Sequence, residues 1–232
     1  MVSLVEKPYA NRCEAGRRLA ESLTSYRTHH PVVLGIPRGG VVVADTIARA
    51  LDADLDIVLT RKLGAPGNPE LAIGAVSENG RVIVQREIAA TVGADEDYIE
   101  REKQRQLAEI LARRERYRNV RPKVPLQGRT TILVDDGIAT GATMQASIWA
   151  AREEGPQEIV VAVPVGPLDA IERLKHEADH VVCPYVPRYF YAIGQFYLDF
   201  EQVDDRAVME ILAKYNPEFG ERNLETPADS RP

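Results

Sequence analysis

Residues 132–143 have the sequence ILVDDGIATGAT, which joins an apolar strand, two adjacent acids and a glycine-containing turn into a helix. The residues from Thr131 to Val134 are too few for a helix and predict a central strand that is covered on both faces. In open α/β sheets, ligands collect beyond the carboxyl ends of the strands, where the next loop offers free N–H groups. The segment therefore predicts a ligand site where this strand ends.

The residue types after the strand suit a sugar phosphate. Two glycines in the loop 137–143 allow a tight turn and close approach of the backbone to a ligand. Two threonines in the same loop add hydroxyl donors for an anion. Asp135 and Asp136 would repel that anion, so they suit two neighbouring hydroxyl groups instead. Together these groups predict a site for a ribose 5-phosphate.

The same segment resembles the signature of the class I phosphoribosyltransferases, in which apolar residues precede two acids and a loop that ends in Thr-Gly-x-Thr. The resemblance implies that the acids hold the ribose hydroxyls of phosphoribosyl pyrophosphate and that the loop holds its 5-phosphate. Members that act on 6-oxopurines usually carry an Asp, assigned to proton exchange with the base, where this chain has Ala139. The implied binding residues are Asp135, Asp136, Gly137, Ile138, Ala139, Thr140, Gly141, Ala142 and Thr143.

Other interpretations of this segment exist. A buried strand followed by Asp-Asp-Gly is also compatible with an ordinary strand-to-helix turn with an Asp cap. A Walker-type phosphate loop requires a Lys before its Ser or Thr, where this chain has Ala142. A phosphoacceptor pair of the response-regulator kind is expected near the start of its domain, whereas this pair lies past the middle of the chain.

A second anion site is predicted upstream. A short strand over Pro31 to Leu34 leads into GIPRGG, residues 35–40, before a helical pattern begins at Val41. Arg38 places a multi-donor cation at the start of that helix. The resemblance implies that this is the pyrophosphate loop, in which Gly39 and Gly40 let backbone amides meet the leaving group. Relatives often have a cis peptide here, and Arg38–Gly39 is the candidate; a glycine turn with a solvated Arg is the alternative.

The segment 60–70, TRKLGAPGNPE, follows a predicted strand over Leu55 to Leu59. Arg61 and Lys62 would add positive charge for a polyphosphate. The glycines and prolines predict an irregular flap, mobile or tightly turned, that could exclude water from an oxocarbenium-like centre. The alternative is that both cations are merely solvated.

The aromatic segment 187–200 offers the flat apolar surfaces that a base-binding hood needs. Phe190 and Tyr191 are the competing candidates for stacking on the base, with ordinary core packing as the alternative. The segment resembles the C-terminal part of 6-oxopurine phosphoribosyltransferases, which implies that Asp199 helps to hold magnesium pyrophosphate. The spacing from Gly194 to Asp199 is one residue longer than in that family.

The rest of the chain alternates strands and helices, which predicts a mostly parallel central sheet flanked by helices with a small hood. A charged segment from Asp95 to Arg118 predicts one long surface helix. Its arginine cluster could line the phosphate site of a partner subunit, although a solvated face explains it better. The cluster comprises Arg113, Arg114, Arg116 and Arg118.

The length and composition of the chain limit the classes of protein to which it could belong. The 232 residues favour one α/β domain with an elaboration. We expect a phosphoribosyltransferase-like domain over 1–215, with a hood built from the N-terminal segment and residues 185–203. A loose tail is expected over 216–232. The net charge of −6 argues against general nucleic-acid binding. No apolar run approaches the roughly 20 residues that span a bilayer, and no signal-peptide core is present, so we expect a cytoplasmic protein.

These observations predict a Mg²⁺-dependent phosphoribosyltransferase that moves phosphoribose from phosphoribosyl pyrophosphate to a nitrogenous base or similar small acceptor, as in nucleotide salvage. Asp135, Asp136 and Arg38 would act electrostatically, and Mg²⁺ would bridge substrate oxygens with few protein ligands. Class I relatives are often dimers, which implies a homodimer. The alternative is a non-catalytic regulator on the same fold that senses phosphoribosyl pyrophosphate, because Ala139 supplies no acid or base.

Overall fold

The computed structural model describes residues 8–216, except for the side chain of Glu70. The predicted tail therefore lies outside the described residues, apart from Asn216. The strands are β1 (Val32–Gly35), β2 (Asp54–Ile57), β3 (Thr60–Ala65), β4 (Asn68–Ser77), β5 (Val82–Val84), β6 (Thr130–Val134), β7 (Glu158–Ala162) and β8 (His180–Val182). The α-helices are α1 (Arg12–Ser22), α2 (Gly39–Leu51), α3 (Arg86–Thr91), α4 (Glu96–Arg118), α5 (Ala142–Arg152), α6 (Leu168–Lys175) and α7 (Asp205–Ala213).

Five strands form a parallel central sheet in the order β2-β1-β6-β7-β8. All five residues of β6 are buried, and its alternate side chains enter two different cores. Ile132 and Val134 pack with residues of α1, α2 and α7, whereas Leu133 packs with residues of α5 and α6. Burial on both faces explains why β6 ends in three consecutive apolar residues, Ile132, Leu133 and Val134. The predicted mostly parallel sheet flanked by helices is confirmed.

A second sheet of three antiparallel strands, in the order β3-β4-β5, follows β2 along the chain. The prediction of an irregular flap over residues 60–70 is wrong, because most of this segment belongs to β3 and β4. Its glycines and prolines sit where a hairpin tolerates them. Gly67 adopts a φ of 73° in the turn, and Gly64 lies at a register shift, where a Cβ atom would come within 2.9 Å of Pro69 Cα.

The long surface helix is confirmed as α4, which begins after an Asp95 side chain that accepts a hydrogen bond from Tyr98 N at 2.7 Å. Its last arginine, Arg118, is not part of a solvated face. The guanidinium bonds Asp56 Oδ1 and Glu78 Oε1, each at 2.6 Å, and Asp56 and Glu78 are both buried. Burial alone would lower the pKa of Arg118, but the two carboxylates outweigh it and raise that pKa. This ion-pair cluster joins α4 to both sheets.

The N-terminal segment and the segment 185–203 lie side by side. Tyr9 N donates to Phe196 O at 3.2 Å, and Leu198 N donates to Tyr9 O at 2.9 Å. Tyr9, Phe196 and Tyr197 share a small core with Val165. These contacts join the two parts of the predicted hood, while the division into domain, hood and tail stays a prediction. No helix within residues 8–216 combines the length and apolarity needed to cross a membrane.

Candidate functional site

Two predicted site loops start at neighbouring strand ends. β1 and β6 pair in parallel, so that Gly35 lies beside Val134, and Ile36 N donates to Val134 O at 2.9 Å. β2 lies on the other side of β1, and Val58 N donates to Gly35 O at 3.2 Å. The segments that follow β1, β2 and β6 therefore meet at one edge of the sheet, as ligand sites of parallel sheets do.

The two acids follow β6 directly. Asp136 is buried and Asp135 is half-buried, and Asp136 N donates to Asp135 Oδ1 at 2.9 Å. Burial raises the pKa of both carboxyl groups, and the charge of Asp136 raises that of Asp135 further. A ligand that donates hydrogen bonds or brings positive charge would stabilise the ionised pair.

Arg12, which the sequence analysis missed, lies against this pair. Its Nε donates to Asp136 Oδ2 at 2.7 Å, and, opposing burial, this contact lowers the pKa of Asp136. A second guanidinium nitrogen donates to Glu201 O at 2.8 Å, and the guanidinium carbon lies 3.8 Å from the centroid of the Phe200 ring. Arg12 and Asp136 are 124 positions apart, so no local spacing could have indicated the pair.

Tyr197 is a second missed residue. Its buried hydroxyl donates to Asp136 O at 2.6 Å, and burial raises the pKa of the phenol, so it stays a neutral donor. The backbone and the side chain of Asp136 are thus each held by one side chain from outside the loop, Tyr197 and Arg12. Residues from both parts of the predicted hood fix this acid.

Gly39 and Gly40 bring the start of α2 onto the acids. A Cβ atom on Gly39 would lie 1.9 Å from Asp136 Oδ2, and one on Gly40 would lie 2.7 Å from Val134 O. Only glycine fits at the first position without moving the carboxylate. The cis peptide is Pro37–Arg38 and not Arg38–Gly39, so that prediction is wrong by one residue.

The loop 137–143 leads into α5 as predicted. Gly141 precedes the helix with a φ of 76°. The Thr140 hydroxyl oxygen accepts a hydrogen bond from Ala142 N at 3.4 Å, and Thr143 lies in the first turn. This loop, Asp135 and Ile193 line a cleft of about 170 Å³. Free N–H groups and two hydroxyl groups thus surround a space large enough for a phosphate.

A larger cleft of about 200 Å³ lies beside it and shares Thr143. Its walls come from Ile36 and Pro37, from β3 and from α4. Arg61 and Lys62 line it as the sequence suggested, but Arg61 is paired with Glu109 at 2.5 Å. Four cations line the cleft in total: Arg61, Lys62, Arg105 and Arg113.

Several predicted residues lie outside both clefts. The half-buried side chain of Arg38 makes no hydrogen bond or ion pair with any residue in 8–216. Asp199 is exposed, and its Oδ1 accepts from Glu201 N at 3.2 Å. Phe190 packs on Phe196, with ring centroids 5.3 Å apart, while Tyr191 is 84% exposed. Roles for these four residues stay predictions.

A family profile and two related proteins that match this chain carry the same description. The sequence profile described as "Phosphoribosyl transferase domain" matches residues 9–201. Two Mycobacterium tuberculosis proteins, from strains CDC 1551 / Oshkosh and ATCC 25618 / H37Rv, are provisionally described as phosphoribosyl transferases. Each is 42% identical over 215 residues, which cover 93% of this chain and 48% of the relative. The chain thus spans about half the length of these relatives.

A solved structure agrees over most of the fold. The crystal structure of TT1426 from Thermus thermophilus superposes with a TM-score of 0.85 at 50% identity, covering 89% of this chain and 98% of that one. A ribose-phosphate pyrophosphokinase of Methanopyrus kandleri is 32% identical over 136 residues, which cover 50% of this chain and 46% of that protein.

Proposed function

Because the chain belongs to the phosphoribosyl transferase family, we propose that it transfers phosphoribose from phosphoribosyl pyrophosphate to an acceptor and releases pyrophosphate. The observation that carries the proposal is the meeting of two loops at adjacent strand ends. The loop after β6 carries the acid pair, and the loop after β1 packs its glycines directly on that pair. A ligand with a diol between two phosphate groups matches this arrangement.

The acid pair suits the ribose and the loop suits the 5-phosphate. Asp135 and Asp136 are acceptors whose ionised forms lack enough donors of their own, since Arg12 reaches only Asp136. The 2- and 3-hydroxyl groups of the sugar would supply those donors. The 5-phosphate would then lie over residues 137–143, at the N-terminus of α5, where backbone N–H groups and the helix dipole favour an anion.

The pyrophosphate would leave toward the larger cleft. Gly39 and Gly40 begin α2, and Arg61 and Lys62 bring positive charge to the larger cleft. Arg38 lies outside this cleft but directly follows Ile36 and Pro37, which line it. Charge that develops on the leaving group is best stabilised by cations already in place. Catalysis by these groups needs no covalent intermediate with the protein.

Mg²⁺ fits this site only as an ion held mainly through substrate oxygens. Within residues 8–216 no group of three metal-ligating side chains occurs, and the contacts of Asp199 give no support to its predicted role as a ligand. Mg²⁺ commonly binds through substrate phosphates with few protein ligands. The ion would neutralise part of the pyrophosphate charge when bound with the substrate.

The acceptor we propose is a nitrogenous base or a similar small molecule, as in nucleotide salvage; a cytoplasmic location and a homodimer remain proposals from the sequence. A regulator that binds the same sugar phosphate without turnover is the second candidate. It is favoured by Ala139, which lies in the phosphate loop and supplies no proton acceptor or donor.

A turnover assay tests the proposal. The pure protein is incubated with phosphoribosyl pyrophosphate, Mg²⁺ and a cytosolic metabolite extract, and mass spectrometry follows pyrophosphate and new ribosyl-phosphate products. The proposal predicts a product that Asp136→Asn abolishes and that Asp97→Asn, an exposed acid on α4, leaves intact. Binding of the sugar phosphate without any product would favour the regulator, and absence of both would contradict both functions.

A further inference from the structure

The four arginines at the end of α4 have four different environments. Arg114 is exposed, Arg116 pairs with Asp205 at 3.1 Å, and Arg118 lies in the buried cluster with two carboxylates. Arg113 is half-buried and lines the larger cleft. The helix therefore directs one of its arginines toward the proposed pyrophosphate site of its own chain.

No carboxylate of the described residues is in direct contact with the positive charge of Arg113. The other two arginines of the cleft each have a carboxylate partner: Arg61 bonds Glu109 at 2.5 Å, and Arg105 bonds both oxygens of Glu102 at 2.7 and 2.9 Å. In the part of the chain that the structure describes, the guanidinium group of Arg113 forms no hydrogen bond and no ion pair. A cation that is partly removed from water without a partner is stabilised when an anion binds beside it.

Arg38 also has a half-buried guanidinium group without a contacting carboxylate, and it lies near the same acid as Arg113. Asp205 is bonded by Tyr117 at 2.7 Å, and this bond, followed by the charges of Arg113 and Arg38, lowers the pKa of its carboxyl group. Both arginines therefore lie near one acid without bonding it. Arg113 also shares the cleft with Ile36 and Pro37, the residues immediately before Arg38. Two half-buried guanidinium groups without contacting carboxylates are thus present here, one in the loop after β1 and one in the cleft that this loop lines.

We propose that Arg113 binds the pyrophosphate end of the donor, so that α4 supplies one wall of the leaving-group site in the same chain. This inference rests on the proposed function and adds to it a residue outside the strand-end loops. A guanidinium is suited to the role because its forked donors match two phosphate oxygens at once. The expected ligand class is a diphosphate, free or attached to a sugar.

Calorimetry with three probes and two variants tests the inference. Inorganic pyrophosphate, phosphoribosyl pyrophosphate and ribose 5-phosphate are each titrated, with Mg²⁺, into the wild-type protein, Arg113→Gln and Arg114→Gln. We expect Arg113→Gln to weaken binding of the two diphosphates by about tenfold or more, and to leave ribose 5-phosphate unchanged. Arg114→Gln removes the same charge from the neighbouring exposed position and should change none of the three.

Other outcomes would overturn the inference. Equal losses in the two variants would show a general charge effect, and an equal loss for ribose 5-phosphate would show a structural effect. Arg113→Lys keeps the positive charge but loses the forked donors of the guanidinium group. It should bind diphosphates with an affinity between those of the wild type and Arg113→Gln, and it should unfold at the wild-type temperature. Equal affinity of the wild-type protein and Arg113→Gln for both diphosphates would overturn this inference alone. A protein that binds none of the three would overturn the proposed function with it.

Discussion

The ion pair between Arg12 and Asp136 should determine how the stability of this protein depends on pH. The substitution Arg12→Gln removes the positive charge beside two adjacent carboxyl groups and keeps most of the side-chain volume. The two side chains of the pair are each only 11% exposed, and their atoms are 2.7 Å apart. The carboxylates would then be left with no cation in contact, in a site whose burial already raises the pKa of both.

The expected loss comes mostly from the unpaired charge. Removing one partner of a fully buried pair costs about 3–5 kcal/mol, and a hydrogen bond to a charged group contributes about 1.5–3 kcal/mol. Because Asp135 is half-buried and the site opens into a cleft, we expect the lower end, about 2–3 kcal/mol in the free energy of unfolding at pH 8.

The sign of the pH dependence follows from the raised pKa values. The folded chain keeps protons on these acids at pH values where the unfolded chain, with an Asp pKa of about 3.9, has lost them. Stability contributed by the two acids is therefore present at low pH and is lost as pH rises through their folded pKa values. Without Arg12 the folded pKa of Asp136 rises further, so the loss becomes larger and extends to higher pH.

Urea unfolding at pH 4 and pH 8 measures the effect. Arg12→Gln should lie close to the wild-type protein at pH 4, apart from about 1 kcal/mol for the lost Glu201 bond, and well below it at pH 8. The control is Arg17→Gln, an exposed position on α1, which should track the wild type at both pH values. A gap between Arg12→Gln and the wild type that does not widen with pH would refute the reasoning.

Two further predictions concern close packing and the buried cluster. Gly39→Ala should weaken binding of phosphoribosyl pyrophosphate by at least tenfold, because its Cβ atom would meet Asp136 Oδ2 at 1.9 Å; calorimetry that shows wild-type affinity would disprove the close approach. Arg118→Met should lower the free energy of unfolding by about 3–5 kcal/mol, because Asp56 and Glu78 lose their shared cation. Urea unfolding measures this loss, and a value below about 1 kcal/mol would show that the three side chains do not stabilise one another.

The sequence was sufficient for the features that depend on neighbouring residues. The apolar run before Asp135 predicted the central strand. The resemblance implied that Gly39 and Gly40 meet a leaving group; the structure places these glycines against Asp136 and Val134, and their contact with a ligand stays a prediction. Strand burial and backbone freedom are local properties, since they depend on the residue types within one segment. The parallel sheet followed from the alternation of strands and helices.

The predictions from sequence were wrong where one residue type can serve two structural roles. Gly64 and Gly67 predicted an irregular flap, yet one glycine serves a register shift and the other a hairpin turn. The four arginines at the end of α4 were grouped as one solvated cluster because their spacing cannot show which side chains reach a second element. Arg118 and Arg113 differ only in what the folded chain places opposite them.

The contacts of Asp136 could not be predicted at all. Arg12 precedes it by 124 positions and Tyr197 follows it by 61, and neither has a motif of its own. Such partners are set by how the N-terminal segment pairs with the segment around Phe196. The same limit applies to the choice among hood aromatics, because the contacts connect two rings to the acid pair, Tyr197 through its hydroxyl group and Phe200 through Arg12.

Titration of phosphoribosyl pyrophosphate with Mg²⁺ into the wild-type protein and into Asp136→Asn tests the central claim most directly. Circular dichroism would first confirm that the variant is folded, and Asp97→Asn would serve as the matched control. The account predicts saturable binding to the wild type and to the control, with at least a tenfold loss of affinity in Asp136→Asn. Equal affinity in all three proteins, or no binding to the wild type, would contradict the account.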